Sequence, residues 1–216
     1  MDSDPCCLLT GFEPFDGDAV NPSWQIAQAL HGQRLHGTRV VAEQLPCTFA
    51  GAIGTLRTAL RRHRPQLVMA LGQAGRSVIS LERVAINVID ARIPDNAGAQ
   101  PIDEPVQAGA PAAHFSTLPI KAMLAALREA GIPAEVSQTA GTFVCNQVFY
   151  GLMQALRRRP GVRGGFVHVP LLPEQAAARA LGTGMALEQQ IEGVRLALAT
   201  ALATAQDLRL GGGRID

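Results

Sequence analysis

Three residues combine types and positions that suit nucleophilic catalysis. Cys145 lies in SQTAGTFVCNQVFY (137–150), where a strand pattern passes through small residues into a helical one. A thiol in the first turn of a helix meets unsatisfied N–H groups and the positive end of the helix dipole. Both favour a thiolate over the ordinary pKa of ~8.5, and the same N–H groups could hold an oxyanion. The competing reading is an inert core thiol, because free cysteine is among the most buried residue types. A cysteine nucleophile needs a base, and His168 in GGFVHVPLLPE (164–174) is the best placed of five histidines. It ends a buried strand just before Pro170, and ligand crevices lie at such strand ends. A core histidine satisfied by a carbonyl is its alternative. A third group should orient the imidazole and stabilise its positive form. Glu82 sits among Val, Ile and Ala in SVISLERVAINVID (77–90), where an unpaired charge would cost several kcal/mol. Its partner could be the neighbouring Arg83, the single lysine Lys121 or a histidine.

Two turns could build a pocket beside these residues. LLTGFEPFDG (8–17) sets Phe12 and Phe15 three apart on a Gly- and Pro-rich turn just after a strand. Core packing explains such rings, and so does an apolar slot for a planar ligand. LGQAGR (71–76) follows another strand and could bring backbone N–H and C=O groups against a ligand. It lacks the G-x-G-x-x-G pattern of a dinucleotide site.

The elements that must position these groups alternate along the chain. Short apolar runs predict strands near 6–10, 39–45, 67–71, 78–88, 134–138 and 165–169, and stretches of helical period predict helices over 23–30, 49–63, 118–130, 145–158 and 185–208. This predicts a single α/β domain over residues 1–216, a three-layer α/β/α sandwich around a twisted, mixed and mostly parallel sheet. Residues 90–116 are rich in Pro, Gly, Ala and Asp with little periodicity, as expected of an active-site rim or lid. The glycine-rich end, 210–216, is expected to be frayed.

Composition narrows the classes of function. The 216 residues are 47% hydrophobic and 17% charged, enough to bury roughly 70% of the unfolded chain's surface without a disulfide or structural metal. Nineteen basic against eighteen acidic residues leave a net charge of +1, without the basic excess of a nucleic-acid binder. The longest apolar stretch, 196–205, is about half the ~20 residues that span a bilayer. The opening MDSDPCCLLTG has acids where a signal peptide has positive charge, so a cytoplasmic location is expected, with Cys6, Cys7, Cys47 and Cys145 reduced. No C-x-x-C or H-x-x-x-H spacing suggests a metal site.

Read together, TGFEPF (10–15), NPSW (21–24), LGQAGR (71–76), ERVAIN (82–87), DARIPDN (90–96), TAGTFVCN (139–146) and HVPLLPEQ (168–175) resemble the pyrrolidone-carboxylate peptidases, or pyroglutamyl peptidases of type I. Seven colinear motifs span most of the chain, far beyond what one short pattern gives by accident. The resemblance implies an α/β/α cysteine peptidase that removes N-terminal pyroglutamate from peptides without a cofactor, often as a homotetramer. It implies a triad of Glu82, Cys145 and His168. It further implies a substrate-binding set in which Phe12, Phe15 and Phe143 grip the lactam, the backbone of Gln73 pairs with the lactam amide, Val144 contributes beside the nucleophile, and Arg92 shapes local electrostatics.

The chain departs from the family pattern in three places. GQAGR has one glycine fewer than the common GQAGGR, so a tighter turn is expected beside Gln73; Asp16 replaces a common glycine; Cys47 occupies a pocket-side position often held by another small residue. A binding protein that has lost turnover would lack a triad residue, and none is missing. A phosphorolytic enzyme would need an anion site, to which Arg76 and Arg92 could contribute. The runs Arg57–Arg64 and Arg157–Arg159 read as solvated helix faces.

Overall fold

The computed structural model describes residues 4–213. In chain order the elements are β1 (Cys6–Phe12), α1 (Pro22–Leu30), β2 (Arg34–Leu35), β3 (Thr38–Leu45), α2 (Ala52–His63), β4 (Leu67–Ala74), β5 (Ile79–Glu82) and β6 (Val84–Ile86). They continue with β7 (Ala113–Phe115), α3 (Ile120–Glu129), β8 (Ala134–Ser137), α4 (Val144–Leu156), β9 (Arg163–Pro170), α5 (Pro173–Ala178) and α6 (Leu187–Ala203). A seven-stranded sheet runs in the order β2-β3-β1-β4-β9-β5-β8. Its pairs are parallel except β2 with β3 and β5 with β9. Apolar side chains of α1, α3 and α6 cover one face and those of α2 and α4 the other, which is the expected three-layer sandwich.

The two-residue period of the strands decides which side chains meet α4. Leu67, Met69 and Leu71 of β4 enter the core under α1, α3 and α6, while Val68 and Ala70 enter the core under α2 and α4. Continued along the strand, this alternation turns Gly72 toward α4. Strand β9 repeats it, with Val167 and Val169 on one side and Phe166 on the other, so His168 also faces α4. In β5, Ile79 and Leu81 fill the first core and leave Ser80 and Glu82 on the α4 side. Register aligns these positions, because Gly72 lies opposite His168 across β4 and β9, and Ser80 lies opposite His168 across β5 and β9.

The apolar run expected as one strand over 78–88 serves two sheets. Strand β5 stops at Glu82, the Arg83 N–H bonds the Ser137 carbonyl (2.9 Å), and β6 pairs antiparallel with β7 in a separate two-stranded sheet. The buried Asn146 side chain of α4 draws the chain away. Its Oδ1 accepts from the Ile86 N–H (3.0 Å) and its Nδ2 donates to the Ile86 and Val88 carbonyls (2.9 Å each). Residues 90–116 are correspondingly more ordered than their composition implies. They contain β7 and an isolated bridge from Ile89 to Glu104, and buried Asp95 ties down the Ala97 and Ala99 N–H groups.

The other differences lie at element ends. Helix α2 starts at Ala52 rather than 49, and the Phe49 N–H before it is bonded to Asp95 Oδ2 (2.7 Å). Helix α6 runs 187–203 inside the expected 185–208, and α4 stops two residues early. Helix α5, unexpected from the sequence, starts with Pro173 at its first position, and Gln175 Oε1 accepts from the Leu172 N–H. Residues 210–213 form no regular element, while 214–216, the rest of the expected frayed end, lie outside the described residues. Among the described residues no helix is long and apolar enough to cross a membrane.

Candidate active site

Helix α4 opens without help from its own cap. Phe143 is the N-cap, and its side chain cannot accept from the first-turn N–H groups. Those donors therefore remain available at the helix mouth, where Cys145 stands at the second position. The sulfur rests over the sheet above Gly72, where a Cβ would stand only 2.8 Å from Cys145 Sγ and 2.8 Å from Phe166 Cζ. A glycine here is what lets the thiol come down beside His168, the cross-strand partner of that same residue.

His168 is almost fully buried, and its Nδ1 lies 2.7 Å from Glu82 Oε1. A carboxylate can only accept, so Nδ1 donates to it, and the other ring nitrogen, Nε2, is left for the cavity side. Glu82 itself is fully buried. Its second partner is Arg76, whose Nη1 donates to the same Oε1 at 2.8 Å, rather than the neighbouring Arg83, which turns to Gln138 Oε1. Of the partners open from sequence, the histidine is therefore present, Arg83 and Lys121 are not, and Arg76 is additional. Arg76 also donates through Nη2 to the Thr139 carbonyl (2.9 Å), so it is not a free anion-binding group.

Electrostatics oppose the expected lowering of the Cys145 thiol. Burial is the largest influence on Cys145 and pushes the thiol well above its usual range; Cys47 and Glu82 push the same way, while Arg76 and the residue's own backbone N–H pull it down. The upward influences act against the lowering expected from the helix mouth. Cys47, buried in the α2/α4 core, is itself raised to about 12 by burial and by Glu13 and Asp95.

Cys145 and His168 open into a cavity of about 290 Å³ whose walls include Phe15, Gln73, Arg92 and Phe143. The rings of Phe15 and Phe143 lie 6.1 Å apart and tilted, and Phe49 packs edge-on against Phe143 at 5.1 Å. Asp90 and Ile93 complete the rim expected from the 90–116 segment. Two expected pocket residues are placed elsewhere. Phe12 is 2% exposed, and Val144 is fully buried; both pack in the core under α2 and α4. Alternation along β1 sends the Phe12 ring into that core together with Leu8, whereas Phe15 lies beyond the strand and is free to turn outward.

Gln73 is held by both of its parts. Its Nε2 donates to Asp18 Oδ2 (2.9 Å), which also accepts from Gln175 Nε2 and Arg179 Nη2 (2.9 Å each). Its backbone lies in β4, which pairs with β9 as far as Ala74 but with β1 only as far as Ala70. Beyond Ala70 the β1 side of β4 is an open edge. Asp16, which replaces a common glycine, has a left-handed φ of 56° and accepts from Arg179 Nη1 (3.0 Å). Asp tolerates that conformation better than most residues. The shortened glycine turn closes on itself, with the Arg76 N–H bonded to the Ala74 carbonyl (2.8 Å).

The profile of a family described as pyroglutamyl peptidase matches residues 6–204. Similar relatives are the pyrrolidone-carboxylate peptidases of Cupriavidus taiwanensis, 58% identical over 98% of this chain and 99% of the relative, and of Klebsiella pneumoniae, 58% identical over 95% and 97%. Among solved structures, pyroglutamyl peptidase I from Bacillus amyloliquefaciens superposes with a TM-score of 0.93 at 43% identity, covering 97% of this chain and 100% of that one. Pyrrolidone carboxyl peptidase from Thermococcus litoralis gives a TM-score of 0.91 at 38% identity over 96% and 99%.

Proposed function

Because the chain belongs to the pyroglutamyl peptidase family, cysteine peptidases that remove N-terminal pyroglutamate from peptides, we propose that Cys145, His168 and Glu82 perform this hydrolysis. The observation that carries the assignment is their convergence: Glu82 bonded to His168 at 2.7 Å, with the Cys145 sulfur lowered over Gly72 beside that histidine.

The reaction starts from a neutral thiol. His168 Nε2 takes the Cys145 proton as the sulfur attacks the carbonyl that follows the lactam ring, and Glu82 stabilises the imidazolium through Nδ1. The free N–H groups of the α4 first turn receive the developing oxyanion, with Arg92 at the rim adding positive charge. As the tetrahedral intermediate collapses, the C–N bond breaks, His168 returns the proton to the departing amine, and a thioester remains. His168 then draws a proton from water, which attacks the thioester and releases free pyroglutamate and the thiol.

The lactam fits between Phe15 and Phe143, and its N–H and C=O pair with the open edge of β4 at Gln73. A lactam carries no ammonium, so it enters this slot without the desolvation cost that an ordinary N-terminus would meet. We also infer peptide substrates, a homotetrameric assembly and a cytoplasmic location. The assembly rests on family resemblance, and the location on the four free thiols. The test is release of a fluorescent amine from a pyroglutamyl amide, with alanyl and prolyl amides as controls. Turnover of the pyroglutamyl compound alone is expected, and folded protein without turnover would overturn the reading.

A further inference from the structure

Glu82 is a fully buried carboxylate whose two partners share one oxygen, while Oε2 is buried with no partner. One of those partners, His168, has to gain and lose a proton during the proposed reaction, so it cannot be the standing counter-charge. A buried carboxylate without a full counter-charge either takes a proton or draws one onto its neighbour. Either outcome disables the dyad, because a protonated Glu82 no longer favours the imidazolium and a permanently protonated His168 cannot act as the base. The remaining charged neighbours do not answer this need: Arg83 is engaged with Gln138 and Glu135 accepts from the Ser80 hydroxyl.

Arg76 answers it. Its fork is fixed at both tips, on Glu82 Oε1 and on the Thr139 carbonyl, and Ser137 Oγ also donates to that carbonyl (3.0 Å). The tight turn from Ala74 carries the side chain back over the end of β5. Arg76 is absent from the cavity that holds Cys145 and borders the adjoining groove formed with Thr139 and Leu181.

We propose that Arg76 is a positioning residue for the reaction: it supplies the counter-charge of Glu82 and fixes Oε1 against His168 Nδ1, so that the imidazole is correctly turned to take the thiol proton. The inference rests on the peptidase reading above. It assigns Arg76 an effect on kcat and almost none on binding of the lactam, which it does not touch.

Steady-state kinetics on a pyroglutamyl amide test this with Arg76→Gln, Arg76→Lys, Glu82→Gln and the double variant Arg76→Gln/Glu82→Gln, each checked for its thermal midpoint. Arg76→Gln should lower kcat on the order of 10²-fold and leave KM within about threefold. Arg76→Lys, which keeps the charge and loses the fork, should recover at least about tenfold of that loss. Once Glu82 is a neutral amide there is no charge to hold, so the double variant should turn over within about threefold of Glu82→Gln. If Arg76→Gln keeps parent kcat, if its loss lies in KM, or if the two losses multiply, Arg76 is not acting through Glu82. Should Arg76→Gln fail to fold, Arg76→Lys in the two Glu82 backgrounds gives the same comparison. A parent enzyme without turnover would overturn the peptidase reading instead, so the two failures are distinguishable.

Discussion

Adding one methyl group beneath the nucleophile, as Gly72→Ala, tests whether the thiol works from where the structure sets it. The new Cβ would sit 2.8 Å from Cys145 Sγ and 2.8 Å from Phe166 Cζ. Non-bonded contacts relax at roughly 3.5–4.0 Å, so sulfur, ring or both must retreat by about 0.7 Å or more. Phe166 is 1% exposed and packed against Phe149 and His168, with ring centroids 5.9 and 4.9 Å away, so little of the shift can be absorbed there. A displacement approaching ~1 Å of a reacting atom costs on the order of 10²-fold in rate. The overpacking itself should cost about 1–3 kcal/mol of stability, at roughly 2–4 °C in the melting midpoint for each kcal/mol in a chain of this size. The assay is kcat/KM on the pyroglutamyl amide alongside a thermal melt. Activity within about threefold of the parent would refute the reasoning, because it would mean that the sulfur reacts from another position.

Other predictions concern the thiols and the pocket. The upward push on the Cys145 thiol implies that iodoacetamide alkylates it more slowly near pH 7 than it does a free cysteine, a comparison that mass spectrometry makes directly. Cys7 and Cys47 are raised to about 12 by burial, so the folded state binds more protons than the unfolded chain above the ordinary thiol value of 9.0. Stability is then intact below about pH 9 and falls as pH rises toward about 12, by up to about a factor of ten in the folding equilibrium per pH unit for each thiol; urea midpoints measured across that range should decline. Removing the ring that packs against both Phe15 and Phe49, in Phe143→Ala, should raise KM for the pyroglutamyl amide by roughly tenfold or more, whereas unchanged KM would place the lactam elsewhere.

Local chemistry marked the three proposed catalytic residues in the sequence. A glutamate inside an apolar strand, a histidine at a strand end before Pro170 and a cysteine at a helix start are each conspicuous against their surroundings, and strand alternation then points His168 and Glu82 to one face. Tertiary pairing was less accessible. Arg76 and Arg83 are both close to Glu82 in sequence, and only the turn at Ala74 decides that the more distant one reaches it. The break of the 78–88 run at Arg83 depends on Asn146, sixty residues beyond Ile86, capturing its backbone. Phe12 and Phe15 share one turn and one residue type, yet the first belongs to the strand and points into the core while the second faces the cavity. The helix-start position of Cys145 can be read along the chain, whereas the burial that raises its thiol and the negative influence of Cys47 and Glu82 come from distant segments.

The proposed peptidase reaction requires the acyl group to pass through the Cys145 sulfur. Rapid acid quenching of the enzyme during turnover of a pyroglutamyl ester, followed by peptide mapping, should find a pyroglutamyl thioester on the segment containing Cys145 and none in Cys145→Ala, which should also be inactive. Turnover that persists in Cys145→Ala, or an acyl group on another residue, would contradict the account.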